Sequence, residues 1–395
     1  MSTETVSALK DRTRSAVSAD ESVLVALSHQ IHSHPELGFE EEQSSAWCAE
    51  LLADAGLEVE IGICDLPTAF CATAGSGPFT VVICAEYDAL PGIGHACGHN
   101  VIASAAIGAG RALAAVADDL GITVRVLGTP AEEGGGGKIL MMERGAFDGV
   151  HAAMMVHPAP DELDHMPCLA VEHYDVVYRG KEAHASAFPE RGVNAADALT
   201  VAQVAIGLLR QHAEEQDQVH GIVTLGGAAP NIVPALTTAK YYVRARSLAR
   251  LEKWSPRVRA CFEAGSVATG ASLEFVPQGP TYSEFHNDAG MTARYVANAE
   301  ALGRIFPAPG GRTMSGSTDM GNVSLAIPSI HPMLGLDCMP AVNHQPEFTA
   351  AAASATADQA VVDGAAAMAW TVIDLASDEA ERDRLMAKAY SASSG

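Results

Sequence analysis

Short apolar runs alternate with segments of helical spacing between residues 79 and 156, and this alternation restricts the fold more than any other feature. The run Phe79–Ala85 (FTVVICA) is apolar almost throughout, as expected of a strand that is buried on both faces. Ile122–Gly128 and Ala152–Val156 are two further runs, and small residues at helical spacing follow His99. Strands that alternate with helices form parallel or mixed sheets covered by helices. We therefore predict an α/β fold with a mixed, mainly parallel sheet flanked by helices.

The pattern changes near Leu169 and returns after Gly279, which predicts an inserted domain. Within the insert, strand and helix signals follow the order βαββαβ, as in a ferredoxin-like α+β unit. We therefore predict a discontinuous catalytic domain over residues 1–170 and 280–395, interrupted by a smaller domain over residues 171–279. Helices are predicted over Asp20–Leu52, broken at the HPELG segment, and over the Ala-rich Ala350–Leu375.

The charge balance excludes several classes of partner. The chain has 48 acidic and 24 basic residues and a net charge of -24. Such a chain repels nucleic acid and anionic membranes at long range, whereas solubility or the attraction of cationic substrates and metal ions remain as explanations. The N-terminus has no apolar signal segment, and the eight cysteines follow no disulfide pattern. We therefore expect a cytoplasmic protein with reduced thiols that acts on a small molecule.

Side chains of metal-binding type follow the predicted strands. Because ligand sites in open α/β sheets lie at the carboxyl ends of the strands, these side chains are expected to meet at one edge. They come from four separate segments, namely Glu86 to His99, Glu132-Glu133, His157 and His344. The convergence of Cys, His and Glu on one edge predicts a metal site.

Each of these segments alone has a simpler explanation. Cys97 and His99 suit zinc and similar metals, but a structural or redox cysteine fits the pattern as well. In the Glu132-Glu133 pair one carboxylate can bind metal while the other faces a water, although such pairs usually lie in solvated loops. The GGGGK that follows could also bind phosphate, but it lacks the Walker spacing and the Ser/Thr after the lysine.

Seven ordered motifs resemble the two-metal aminoacylase and carboxypeptidase family. They are HPELGFEE (34–41), EYDALPGIGHACGHN (86–100), TPAEEGGGGK (129–138), VHPAP (156–160), RGKEAHAS (179–186), GGAAPNIVP (226–234) and HQPEF (344–348). Within this family, EYDALPGIGHACGHN and STDMGNVS (317–324) resemble the subgroup of aminobenzoyl-glutamate hydrolase and basic-dipeptide peptidase. The sequence departs from the commoner aminoacylase pattern in two places. Asn100 stands where Asp is usual, and STDM (317–320) stands where SEDF is usual.

The resemblance implies a site for two divalent ions per subunit, which could be zinc, manganese or cobalt. The implied ligands are Cys97, which would bridge the ions, together with His99, Glu133, His157 and His344. Glu132 would be the general base, and Asp88 would orient a ligand from behind the site.

The resemblance also implies an activity and an assembly. The expected reaction is the hydrolysis of an amide bond in an N-acyl amino acid or a dipeptide-like substrate with a free carboxylate. Asn231, Arg244 and Ser317 would bind that substrate, and His184 of a partner subunit would stabilise the oxyanion, which implies a homodimer formed through the inserted lid domain. A dipeptidase for basic or β-amino residues and a non-catalytic metal-binding relative are the alternatives. The acyl group, the amino acid, the metal and the need for a second, homologous subunit stay open.

Overall fold

The computed structural model describes residues 1–307, 315–387, 389 and 390. Within them the strands are β1 Glu58–Ile61, β2 Phe70–Ala74, β3 Phe79–Ala85, β4 Ile122–Gly128, β5 Ala152–Met154, β6 His157–Ala159, β7 Ala170–Arg179, β8 Gln218–Leu225, β9 Leu236–Ala245, β10 Ser272–Pro277, β11 Ser329–Ile330 and β12 Met333–Gly335. The helices there are α1 Thr3–Ser33, α2 Glu42–Asp54, α3 His99–Ala114, α4 Ala117–Leu120, α5 Gly137–Glu143, α6 Ala195–Leu209, α7 Leu248–Thr269, α8 Ala289–Ala301, α9 Met320–Ala326, α10 Pro346–Ala351, α11 Ala355–Ser377 and α12 Glu379–Met386.

The chain divides into two compact units. The first unit combines Met1–Pro167 with Phe285–Gly395, and the inserted unit is Cys168–Glu284. The inserted unit is therefore slightly longer at both ends than the predicted range 171–279. Its additional residues include Tyr282, which pairs with Val171 in an isolated antiparallel bridge.

A six-stranded mixed sheet forms the centre of the first unit. Its strand order is β1-β2-β4-β3-β5-β11, in which β4, β3, β5 and β11 are parallel and the β1–β2 and β2–β4 pairs are antiparallel. All seven residues of β3 are buried, which explains why its sequence lacks polar alternation. The predicted α/β class with a mixed, mainly parallel sheet is confirmed.

Helices α1, α3 and α11 pack together because small residues let them approach closely. A Cβ atom at Gly108 in α3 would lie 2.7 Å from Leu24 of α1 and 2.9 Å from Ala365 of α11. Among the described residues, α11 alone is long and apolar enough to cross a membrane, but 83% of its most apolar stretch of 18 residues is buried in the fold. Its composition therefore matches that of a helix in the core of the unit.

The inserted unit is a four-stranded antiparallel sheet with two helices. The strand order is β10-β7-β9-β8, and α6 and α7 supply the two crossovers of the βαββαβ order. Its core includes the buried side chains of Tyr178, Trp254 and Phe262. Strand β8 lies at the edge of this sheet and seven of its eight residues are exposed.

Two helix predictions were wrong in their bounds. Helix α1 begins at Thr3, well before the predicted start at Asp20, because Ser2 caps it and Leu9 and Val17 extend its buried face. The predicted long C-terminal helix is two helices, α10 and α11. The first ends at Ala351, and Ser354 starts the second as its N-cap by accepting the backbone N–H of Ala357.

Candidate metal centre

The carboxyl ends of three parallel neighbours, β4, β3 and β5, position the chemically active side chains. Glu86 and Asp88 follow β3, Glu132 and Glu133 follow β4, and His157 follows β5 after a two-residue gap. Since parallel strands end at the same edge of a sheet, the three segments meet there. Cys97 and His99 join them from the turn that starts α3, where Gly98 adopts a left-handed conformation.

The five predicted ligands form two groups of three that share one thiol. Cys97, His99 and His157 form the first group, and Cys97, Glu133 and His344 form the second. Within each group, the ligand atoms all lie within 4.8 Å of one another. The structure therefore brings all five side chains together and gives Cys97 Sγ a place in both groups.

The histidines of the first group are oriented by hydrogen bonds at Nδ1. His99 Nδ1 lies 3.0 Å from Asp88 Oδ1, and His157 Nδ1 lies 2.8 Å from the carbonyl oxygen of Pro158. A carbonyl oxygen only accepts, so the His157 proton sits on Nδ1 and its Nε2 keeps a lone pair for a metal. Asp88 therefore contacts the predicted ligand His99 at Nδ1, and its role in orienting that ligand stays a prediction.

His344 reaches the centre from a distant part of the chain. Its backbone N–H donates to the carbonyl oxygen of Ala96, 2.9 Å away, and its backbone adopts a left-handed φ of 69°. Its Nε2 lies 3.0 Å from Cys97 Sγ and 3.6 Å from Glu133 Oε1.

The charges of this cluster fit divalent cations. Among the described residues, the buried Nε2 atom of His99 has no hydrogen-bond partner. Burial and the neighbouring Glu133 and Glu132 raise the pKa of the Cys97 thiol well above its usual value. A bound cation would reverse that effect because a coordinated thiol loses its proton. A shared thiolate with imidazole and carboxylate ligands suits zinc and similar metals.

Glu132 is set apart from its neighbour Glu133. Its side chain is 7% exposed and lies outside both groups of three described above. A carboxylate oxygen of Glu132 lies within 4.8 Å of ligand-type atoms of His99 and Glu86. Burial, together with the negative charges of Glu86, Glu133 and Asp319, raises its pKa well above the usual value. The consecutive acidic residues thus occupy different surroundings.

Sequence reasoning missed a buried lysine beside this site. The Lys138 ammonium lies 2.5 Å from Glu86 Oε1 and 2.6 Å from Asp319 Oδ1, and all three side chains are fully buried. The backbone N–H of Lys138 also donates to Asp319 Oδ2. These bonds argue against the phosphate-loop alternative for GGGGK, since the ammonium is already paired with two carboxylates. The acidic residue directly after β3 was the available signal for Glu86, but nothing in the sequence marks Lys138 as its partner.

The inserted unit carries three of the predicted residues. His184 is exposed, and its Nδ1 accepts from the backbone N–H of Ala187, so its Nε2 carries the proton of the neutral ring. Asn231 lies beside it, because the backbone N–H of Ala185 donates to the Asn231 carbonyl oxygen. Arg244 lies on β9, where its Nε donates to His220 Nε2 at 3.2 Å.

Two further positions from the sequence analysis lie in the first unit. Ser317 is half-buried in the segment before α9. Asn100 is fully buried, and its Nδ2 donates to Ser28 Oγ and to the Ala352 carbonyl oxygen, each at 2.8 Å. The departure from Asp at position 100 therefore joins α3 to α1 and to the end of α10.

A comparison with known protein families identifies the family of this chain. The sequence model of peptidase family M20/M25/M40 matches residues 82–370, a span that includes the five ligands, Glu132 and the inserted unit. The chain belongs to this peptidase family. It is therefore a hydrolase that acts on amide bonds.

Individual members of the M20 family support this assignment. The Xaa-Arg dipeptidase of Mus musculus is 38% identical over 385 residues, which cover 92% of this chain and 88% of the mouse protein. One subunit of the p-aminobenzoyl-glutamate hydrolase of Escherichia coli K12 is 33% identical over 280 residues, 66% of this chain and 58% of that protein. The crystal structure of the Bacillus subtilis YXEP protein, described as a dinuclear metal binding peptidase from the M20 family, has a TM-score of 0.65 and 22% identity, and covers 90% of this chain and 99% of that one. The suspected subgroup is confirmed.

Proposed function

We propose that this M20 hydrolase uses two divalent ions, held by the two ligand groups that share Cys97, to cleave dipeptides or N-acyl amino acids with a free carboxylate. The shared thiol is the observation that carries the proposal. Two sets of three protein ligands leave room at each ion for water or substrate, as catalytic rather than structural sites do. The Bacillus subtilis relative described as dinuclear supports the number of ions.

Bound ions of this kind polarise a carbonyl and lower the pKa of a water. Glu132 then takes the proton from the attacking water and delivers it to the amide nitrogen as the C–N bond breaks. Its position next to ligand Glu133, outside both ligand groups, supports this role. Asp88 keeps His99 in the orientation that binds metal through Nε2.

For the substrate, we favour dipeptides with a basic C-terminal residue. The relative named Xaa-Arg dipeptidase covers 92% of this chain, and a net charge of -24 attracts cationic substrates. N-acyl amino acids and aminobenzoyl-glutamate are the second candidate class, supported by the Escherichia coli relative. Arg244 and Asn231 would bind the carboxylate common to both classes, together with Ser317.

We also propose that two copies pair through the inserted unit, so that His184 of one copy donates to the oxyanion formed in the other. The exposed edge strand β8 supports this pairing, since its apolar Ile222 and Val223 are 65% and 48% exposed. A second copy would cover both side chains and extend the sheet. The cytoplasm stays our proposed location, because none of the eight cysteines, all of which the structure describes, forms a disulfide.

The decisive experiment compares the purified enzyme with Glu132→Gln after metals are removed and zinc, manganese or cobalt is added back. Both proteins are assayed for amine release from Xaa-Arg dipeptides, neutral dipeptides and N-acetyl amino acids. We expect two bound metals per chain in both proteins, and a loss of at least about a hundredfold in kcat for the variant. Full turnover without metal or with Glu132→Gln would refute the mechanism. Equal kcat/KM for Xaa-Arg and neutral dipeptides would refute the preference for basic residues.

A further inference from the structure

The HPELGFEE segment contains a buried carboxylate that the proposed reaction does not use. The segment connects α1 to α2, and its last residue, Glu41, has no exposed surface. A buried carboxylate is costly unless hydrogen bonds compensate for the lost water. The partners of Glu41 therefore indicate what it is for.

Glu41 holds two other segments of the first unit with its two oxygens. Oε1 accepts the backbone N–H of Ala131 at 2.8 Å, and Oε2 accepts the hydroxyl proton of Thr68 at 2.9 Å. Thr68 is itself held, since its carbonyl oxygen accepts the hydroxyl of Tyr87. Glu41 thus connects Ala131, the residue directly before Glu132, to Thr68, which lies just before β2.

The backbone at Ala131 is in a conformation that needs such support. Its φ of 58° lies in the left-handed region, which is unfavourable for a residue with a Cβ atom. The approach of the HPELGFEE segment is also close, because a Cβ at Gly38 would lie 2.9 Å from the Ala131 Cβ. Only glycine at position 38 permits this contact without a shift of Ala131. The turn at Ala131 sets the direction in which Glu132 leaves the sheet.

A second carboxylate holds the other side of Glu132. Asp88 Oδ2 accepts the backbone N–H of Glu133 at 3.0 Å, while its Oδ1 contacts His99. Glu132 therefore sits between two backbone N–H groups, each bound to a buried carboxylate. Asp88 connects this arrangement to the metal ligands, whereas the two hydrogen bonds of the Glu41 carboxylate go to Ala131 and Thr68, neither of which is a ligand. Through its hydrogen bonds the Glu41 carboxylate therefore reaches the residue next to the base and no predicted ligand, while its charge interacts with that of Asp88.

We propose that Glu41 is a positioning residue that aims the Glu132 carboxylate through the Ala131 N–H. This inference rests on the proposed role of Glu132 as the base. A displacement of about 1 Å in a reacting group can cost about a hundredfold in rate. The loss of Glu41 should therefore lower kcat and leave metal binding and KM in place.

The test compares Glu41→Leu, which removes both bonds, with Glu41→Gln, whose amide oxygen can still accept from Ala131. We expect kcat to fall roughly ten- to a hundredfold in Glu41→Leu and less than about threefold in Glu41→Gln, with two metals per chain and KM within about twofold in both. Thr68→Val is the matched control. It removes the other bond of Glu41 but keeps the bond to Ala131, so it should lower thermal stability without lowering kcat.

A double variant separates this inference from the proposed function. If Glu41 acts through Glu132, Glu41→Leu adds no further loss in the Glu132→Gln background. If the kcat losses of the two single variants multiplied in the double variant, the positioning role would be refuted. Normal kcat in Glu41→Leu alone would refute it as well. Unchanged kcat in Glu132→Gln alone would instead refute the proposed base. If Glu41→Leu does not fold, Gly38→Ala displaces Ala131 from the same side, and normal kcat in that variant would overturn the inference.

Discussion

Replacing Lys138 by methionine removes an ammonium group that two buried carboxylates share. Its Nζ lies 2.5 Å from Glu86 and 2.6 Å from Asp319, and none of the three side chains has exposed surface. Methionine has a similar length and flexibility, so the change removes the charge and leaves little cavity. What remains is a pair of carboxylates in a site from which water is excluded.

The expected loss of stability follows from that burial. Removing one partner of a buried ion pair costs about 3–5 kcal/mol, because the remaining charge has lost its compensation. The cost should be smaller at pH 5 than at pH 8, since burial raises the pKa of Asp319 to about 6 and this carboxylate can then take up a proton. Asp319→Asn in the same chain should restore part of the loss. Its amide oxygen can still accept the Lys138 backbone N–H that now binds Asp319.

Urea unfolding of metal-free protein, followed by circular dichroism, measures these differences. Arg12→Met is the control, because the Arg12–Asp119 pair has side chains that are 53% and 56% exposed. Exposed pairs contribute about 0–1 kcal/mol, so the control should unfold almost as the unchanged protein does. If Lys138→Met cost no more than Arg12→Met, or if Asp319→Asn restored nothing, the account of a charge-compensated buried cluster would be wrong.

Three further predictions concern single positions. Cys97→Ser should lower the bound metal below two per chain, because both ligand groups use this thiol, whereas Cys338→Ser should leave the metal content unchanged; elemental analysis distinguishes them. Glu41→Gln should become more stable relative to the unchanged chain as the pH rises from 4.5 to 7, by up to about 3 kcal/mol. Urea unfolding of both proteins at pH 5 and at pH 8 measures this difference. Burial, followed by the charge of Asp88, raises the pKa of Glu41 to about 7, so the folded state holds this proton more tightly and loses stability when it ionises. Asn100→Asp should lower the melting temperature by several degrees, because the carboxylate would face the Ala352 carbonyl oxygen without a proton to donate; an unchanged melting temperature would contradict this role.

Much of the fold could be predicted because the signals are local. The strands β3 and β4 have the predicted bounds, since a continuous apolar run between turns is buried wherever it lies in a sheet. The start of α1 was missed because its polar first half has widely spaced apolar residues such as Leu9 and Val17, whose burial depends on contacts far along the chain. The division of α10 from α11 depends on a single cap at Ser354 in an otherwise helical composition.

The candidate site divides in the same way. Residue type and position after a strand pointed to Cys97, the Glu132-Glu133 pair and His157, because parallel strands end at one edge of a sheet, while the choice of Glu133 as the ligand came from the family resemblance. That the two ligand groups share a thiol depends on distances that only the folded chain has. The partners of Lys138 and Glu41 were likewise invisible, since 181 residues separate Lys138 from Asp319 and 90 separate Glu41 from Ala131.

By itself, the sequence determined which short segments are buried strands and which residue types could hold metal, and it predicted a second unit whose bounds differ from those of the structure by a few residues. The tertiary structure decided which of these side chains meet, which buried charges compensate one another, and which backbone N–H groups a distant carboxylate holds. The physical reason is that burial and periodicity are encoded within a few neighbouring residues. Hydrogen bonds and ion pairs between distant segments depend on tertiary packing, which leaves no regular trace in the spacing of the residues that make them.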